Sequence, residues 1–334
     1  DNSEVLSRSC VDFPRMQKGG LDAVFFAVFT SQGPRTAEAN AKIKVKAEAI
    51  FDSIYAAVNR NSNISGVATT PEEAYKLVKK NKSVVFIGVE NGYPIGNDIS
   101  NVKHFYDRGA RYITLCHTKN NDICTSSNDT ANTKGLSDFG VKVVNEMNRL
   151  GMMIDISHAS DQSFYDVIKL SKAPVIASHS CARALCNNPR NLTDDMLRAL
   201  AANNGVVQMC ILSDYVKKSP PNPERDSARQ ALRKKYNNFQ DLKDEQWEAV
   251  NAEWHSIDTK YPQVQATVSD VVDHIDHMVK VAGIDHVGIG TDFDGGGGVA
   301  DCKDVSQMEN ITLELVKRGY SKKDIEKIWG GNLM

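Results

Sequence analysis

Five residues able to bind a metal or move a proton each close a short apolar run. Val84–Val89 ends in Glu90, Tyr112–Cys116 in His117, Met-Ile-Asp-Ile-Ser in His158, Val-Ile-Ala-Ser in His179 and Val-Gly-Ile-Gly-Thr in Asp292. Taken singly, each has an ordinary reading: a capped or core histidine, a loop carboxylate, or, for Asp292 and Asp294, a helix cap or turn residue. Taken together, imidazole and carboxylate without paired cysteines suit zinc or a similar divalent ion in a catalytic role. Two His and one shared Glu hold one ion well and supply part of a second site. A metal pair about 3.5–4 Å apart would hold a bridging hydroxide and polarise a carbonyl, the chemistry of amide, ester or phosphoester hydrolysis.

Such residues must be brought together, because they are spread from position 90 to position 292. The runs Ala23–Phe29, Val84–Val89, Tyr112–Cys116, Met152–Ile156, Val175–Ala177, Val206–Leu212 and Val287–Gly290 are nearly continuous in apolar residues, as in parallel strands covered on both faces. Amphipathic stretches alternate with them, at Thr36–Arg60, from Thr70-Pro71 onward, Ser100–Arg108, Ser137–Leu150, Ser160–Leu170, Thr193–Ala202, Ser269–Val281, Val305–Lys317 and Ser321–Trp329. Gly109, Gly151, Gly205 and Gly319 stand where these helices should stop. The alternation predicts an α/β fold, a single (β/α)₈ TIM barrel over residues 1–334. In that fold the carboxyl ends of the strands converge on one face. Seven strands are visible and a barrel needs eight. Residues 217–265, with Pro220, Pro221, Pro223 and a charged, Trp-containing stretch, read as an insertion in a βα loop.

Composition narrows the class. A chain of 334 residues can bury a sizeable core. The net charge of −2 gives nucleic acid or an anionic membrane nothing to hold. No apolar run approaches the roughly 20 residues of a transmembrane segment. No secretory signal opens the chain, and a removed one leaves no trace, so the compartment is open: cytoplasmic, or periplasmic or extracellular after signal removal. The seven cysteines are irregularly spaced and read as free thiols, with Cys116–Cys124 and Cys181–Cys186 near enough in sequence to pair. Arg190 follows the His179 run and reads either as a bidentate clamp for a carboxylate or as a surface group near the Thr193 helix start. His274 and His277, flanked by Asp273 and Asp276, read as a solvated helix face, and His104, His255 and His286 as structural or exposed. Gly295–Gly298 read as a flexible loop at the mouth of the site.

The segments Ile87-Gly-Val-Glu-Asn-Gly, Leu115-Cys-His-Thr, Gly151-Met-Met-Ile-Asp-Ile-Ser-His, Ala173-Pro-Val-Ile-Ala-Ser-His-Ser, Asn188-Pro-Arg-Asn, Gly290-Thr-Asp-Phe-Asp-Gly and Trp329-Gly-Gly-Asn-Leu resemble, in order, the signature segments of membrane (renal) dipeptidases. The resemblance implies a binuclear zinc dipeptidase, with two Zn²⁺ per chain, a dipeptide substrate and frequent homodimers. It implies that Glu90 bridges the metals, with His158 and His179 as further ligands. It places His117 at the substrate carbonyl, stabilising the oxyanion, and Arg190 on the substrate's carboxylate. Asp292 would take the proton of the bridging water and pass it to the leaving amine. The family's first strand carries a His-x-Asp pair for the first metal, and no His-x-Asp precedes Glu90 here. The expectation is one absence, of first strand and ligand pair together, completed by residues outside this chain. Two rivals remain: a metal-dependent amidohydrolase acting on lactams, lactones or phosphotriesters, and a catalytically dead carboxylate-binding barrel.

Overall fold

The structure is a computed structural model and describes residues 9–129, 134–239 and 242–334. Each apolar run forms a strand: β1 (Ala23–Phe29), β3 (Ser83–Glu90), β4 (Ala110–Thr114), β5 (Met153–Asp155), β6 (Ile176–Ser180), β7 (Val206–Cys210) and β8 (Val287–Gly290). They pair in parallel in the order β1-β3-β4-β5-β6-β7-β8. The remaining strand, β2 (Ser65–Val67), lies off this path and pairs with the start of β3. Ser-Gly-Val is too short to show a period, so its pairing could not be read in advance. Among the described residues β1 and β8 share no ladder. The sheet is therefore a TIM-barrel-like half-barrel, open between those two edges.

Helices cover its outer face because their starts are well made. Thr36, Thr70, Ser137, Ser160 and Thr193 each accept a hydrogen bond from a backbone N–H in the first turn. Val85, Ile87 and Val89 of β3 join one core cluster with Phe51, Phe105 and Phe164 from the helices Ala37–Arg60, Ser100–Asp107 and Asp161–Leu170. On the other face of the sheet, Phe25, Phe86 and Tyr112 stack with ring centroids 5.0 and 5.1 Å apart. Gly88 permits this, since a Cβ there would stand 2.1 Å from the Tyr112 ring. Gly109, Gly151 and Gly319 take left-handed φ as expected, but after the Asp194–Ala202 helix that conformation falls on Asn204. Gly205 is needed for space instead, a Cβ there lying 2.4 Å from the Val175 carbonyl oxygen.

Residues 217–265 carry two helices, Pro223–Lys235 and Asp244–Lys260, between β7 and the helix Val268–Ala282. They meet through Arg225 and Arg229 on Asp258, at 3.3 and 2.8 Å, and through the Arg229 guanidinium 4.3 Å above the Trp254 ring. No helix of the described residues is long and apolar enough to cross a membrane.

His274 corrects the expectation of a solvated face. It is buried, its Nδ1 accepts from the Ala182 N–H at 3.0 Å, and its Nε2 faces the Val216 carbonyl at 2.8 Å. It thus ties the Val268–Ala282 helix to the loops after β6 and β7. Burial lowers its pKa, and the two bonds fix the tautomer, since Nδ1 accepts and Nε2 must therefore carry the hydrogen that meets the Val216 carbonyl. His274→Leu keeps the bulk but strands a buried N–H and a buried C=O. A loss of about 3 kcal/mol is expected, read from urea unfolding midpoints. An unchanged midpoint would show the bridge to be dispensable.

Candidate metal and substrate site

Glu90 is the last residue of β3, with Phe29 as its register partner on β1. His117 lies three residues past β4, His158 three past β5, and His179 within β6. The three rings converge on one carboxylate oxygen. Glu90 Oε1 is 3.6 Å from His117 Nε2, 3.5 Å from His158 Nε2 and 3.7 Å from His179 Nε2. His158 Nε2 and His179 Nε2 are 2.8 Å apart. Donors held 2.0–2.1 Å from a tetrahedral zinc ion would be separated by about 3.3 Å. The Glu90–His158–His179 edges bracket that value, so this donor set fits such an ion. Ligand atoms of Glu90, His117 and His158 also lie within 4.8 Å of one another. His117, read from the sequence as a substrate contact, is thus as near Glu90 as the other two histidines.

Burial sets the charge states. It raises the Glu90 pKa, a shift that neighbouring Asp292 and Asp155 reinforce and His179 and Arg190 oppose. Burial, then Arg190 and His179, bring His117 down to about 4. Burial also holds His158 well below the usual range. Neutral imidazoles with free Nε2 lone pairs are the form that ligates metal. His158 reaches its position on a left-handed backbone (φ 68°), uncommon for a residue with a side chain, and its carbonyl is held by the Ser127 N–H at 2.8 Å. The His117 ring packs between Phe29 and His158, with centroids 4.8 and 4.1 Å away.

Arg190 is buried, not a surface group. Its loop is held by Asn188, whose side chain accepts from the Arg190 N–H at 3.0 Å, and its guanidinium reaches back to donate to the His179 carbonyl at 3.0 Å. It also lies 5.3 Å from the centre of the Tyr215 ring. Its Nε has no partner, and no carboxylate pairs with it among the described residues. A buried cation held this way is costly until an anion meets it.

Asp292 lies two residues past β8 with φ 55°. Its carbonyl accepts from the N–H groups of Gly295 and Gly297, at 3.1 and 2.7 Å. A Cβ on Gly297 would stand 2.1 Å from the Thr291 carbonyl oxygen. Gly298 donates to Ile211 at 2.9 Å. Gly295, Gly297 and Gly298 thus form a turn tied to the loop after β7. A cavity of about 750 Å³ has Glu90, Ser178, His179 and Asp292 on its wall and Phe25, Tyr112 and Gln208 among its other lining residues. Its wall takes in both open edges, β1 and the end of β8, and His117, His158 and Arg190 do not line it.

Sequence reasoning missed Asp155, Ser178 and Tyr215. The signal for Asp155 was available: a carboxylate inside the apolar run before His158 must be buried and therefore satisfied. Tyr215 carried no signal, since its nearness to Arg190 depends on the loop after β7. Three of the remaining histidines bond to other elements: His104 to Glu48 at 2.5 Å, His286 to the Gly205 carbonyl at 2.9 Å, and His277, read as part of a solvated face, to Asp194 of a neighbouring helix at 2.7 Å, while His255 is exposed. All seven cysteines are free, and Cys181 donates to the Cys210 carbonyl at 3.1 Å.

Comparison with known proteins identifies the family. The description of the membrane dipeptidases, peptidase family M19, matches residues 2–334. Dipeptidase verJ of Clonostachys rogersoniana is 30% identical over 331 residues, covering 97% of this chain and 74% of that protein. Dipeptidase aclJ of Aspergillus oryzae is 30% identical, covering 97% of this chain and 68% of that protein. Among solved structures, the probable dipeptidase PvdM of Pseudomonas aeruginosa superposes with a TM-score of 0.84 at 30% identity, covering 99% of this chain and 88% of that one. A metallopeptidase of Rhodobacter sphaeroides, solved with a phosphinate mimic of L-Ala-D-Ala, shares the fold, with a TM-score of 0.79 at 21% identity over 98% of this chain and 89% of that one. The chain therefore belongs to the membrane dipeptidase family, the metallopeptidases of family M19.

Proposed function

We propose that the chain hydrolyses the peptide bond of dipeptides with zinc as its metal. The observation that carries the reading is a buried Arg190, in no carboxylate ion pair among the described residues, donating to the backbone of His179, whose ring belongs to the donor cluster. An anion-seeking group one residue's reach from a hydrolytic cluster selects substrates whose free carboxylate lies next to the scissile bond. A zinc-class ion held by Glu90, His158 and His179, with Glu90 shared by a second ion in a binuclear site, would polarise the carbonyl and bring the pKa of bound water toward neutrality.

The chain's own groups do the rest. Arg190 binds the carboxylate and so fixes the register of the substrate. His117, neutral at pH 7, offers Nε2 to the carbonyl region, and Phe29 covers its ring. Asp292 takes the proton of the attacking water on its carboxylate and hands it to the departing amine. Residues 217–265 form a helical excursion of one barrel domain, rooted at the face from which the site's loops also rise.

The test is zinc content and turnover together. Purified chain is expected to bind zinc and to cleave dipeptides in preference to dipeptide amides, lactams and phosphotriesters. Chelation should abolish cleavage and added zinc restore it. Tight zinc binding with no turnover of any of these would favour a carboxylate-binding barrel.

A further inference from the structure

Asp155 is fully buried at the end of β5, the strand that precedes His158. Its carboxylate accepts four hydrogen bonds. Oδ1 takes the backbone N–H groups of Ser157 at 3.0 Å and Ser178 at 2.8 Å. Oδ2 takes the hydroxyls of Thr114 at 2.5 Å and Ser178 at 2.6 Å. These fill the acceptor sites of an ionised carboxylate. Since Ser178 Oγ gives its one hydrogen to this charged oxygen, only its lone pairs face outward. The nearer group they meet is His179 Nδ1, at 2.8 Å, with Ser157 Oγ farther off at 3.3 Å. That nitrogen then carries the hydrogen, which leaves Nε2 bare to accept from His158 Nε2 at 2.8 Å, with Glu90 Oε1 3.7 Å away.

We infer that Asp155 and Ser178 are positioning residues that set the tautomer of His179. They do so through a directed chain, Asp155 Oδ2 to Ser178 hydroxyl to His179 Nδ1–H, that presents Nε2 as a ready donor. The backbone N–H of His179 is held at the same time by Ser157 Oγ at 3.0 Å, which anchors the residue from which the ring projects. His158 has no such arrangement. Its Nδ1 is buried without a partner, and its placement rests on the backbone. The two histidines of the cluster are thus oriented by different means, and only one depends on the buried Asp–Ser pair. Partners of this kind commonly change metal affinity by about 10–100-fold. The inference rests on the metal reading above only for its consequence; the tautomer is a property of the chain alone.

Asp155→Asn gives the sharpest contrast. The two backbone N–H groups at the Oδ1 position force the Asn side-chain oxygen there, so its NH₂ faces Thr114 and Ser178. The Ser178 hydroxyl then turns away, and donating to His179 Nδ1, its nearer acceptor at 2.8 Å against 3.3 Å for Ser157 Oγ, it moves the ring hydrogen to Nε2, the wrong nitrogen for a ligand. Ser178→Ala removes the link and leaves the tautomer free, whereas Ser178→Thr restores it.

The experiment uses the full chain with ¹⁵N-labelled histidine, stripped of metal and then titrated with zinc against a competing chelator. Wild type and Ser178→Thr should show hydrogen on Nδ1 of His179. Ser178→Ala should show a mixture and zinc affinity lower by about 10–100-fold, and Asp155→Asn mainly hydrogen on Nε2 with a larger loss. An unchanged tautomer in Ser178→Ala, folded by its unfolding midpoint, overturns the inference even if Asp155→Asn fails to fold. If wild type binds no zinc, the metal reading fails, and the tautomer in the stripped chain still decides this one.

Discussion

Replacing Glu90 by Gln is expected to abolish the stabilisation of this chain by zinc and to lower kcat by at least about a thousandfold. The geometry sets the size of the effect. One atom, Glu90 Oε1, stands 3.5–3.7 Å from three imidazole nitrogens, so every donor pair in the cluster is organised around it. Gln keeps the shape but removes the only negative charge among these four donors. Its NH₂ could face the rings only by presenting a donor where an acceptor is required. Burial already raises the Glu90 pKa, so its ionised form is costly without a cation nearby. The metal-free protein should therefore lose nothing, and could gain, from the neutral replacement. The two effects separate in one thermal-unfolding titration. Wild type should gain about 2.7 kcal/mol at zinc a hundredfold above its dissociation constant, while Glu90→Gln should start at the same or a higher midpoint and barely respond. A mutant still stabilised by zinc to the wild-type extent would remove Glu90 from the ligand set.

The half-barrel was legible because parallel strands covered on both faces leave a nearly continuous apolar run, and β1 and β8 were readable to the residue. Glu90, His158, His179 and Asp292 were legible for a related reason: polar residues that end such runs must cluster once the strands are parallel. What failed depended on contacts between distant segments. His274 shows acidic neighbours along its helix and so looked solvated, yet it is buried because the loops after β6 and β7 bond both its nitrogens. The short strand β2 had no period to read. Asp155 lay in plain view inside an apolar run, and only its four partners reveal why a carboxylate is tolerated there.

Arg190 offers the second large effect, and it concerns binding more than chemistry. Arg190→Ala should raise KM for dipeptides by about a hundredfold or more and leave zinc affinity within a few fold. Truncating one partner of a buried, hydrogen-bonded charge pair costs about 2–5 kcal/mol, which corresponds to that range. The free protein should respond in the opposite direction. Arg190 is buried with Nε unpartnered and, among the described residues, in no carboxylate ion pair, so Arg190→Met, which keeps the aliphatic bulk, should unfold at a higher urea concentration than wild type. Stability gained with function lost is the signature of a charge kept for a ligand. A structural cation would instead destabilise on removal. Specificity comes from the same contact, so substrate and protein can be altered together. Wild type should discriminate against C-terminal dipeptide amides by about a hundredfold, and Arg190→Ala should treat acids and amides alike. If Arg190→Ala still prefers the free carboxylate by the wild-type margin, another group binds it, and Arg190 would then act only on the electrostatics of the His117 and His158 rings, whose pKa values its charge helps to lower.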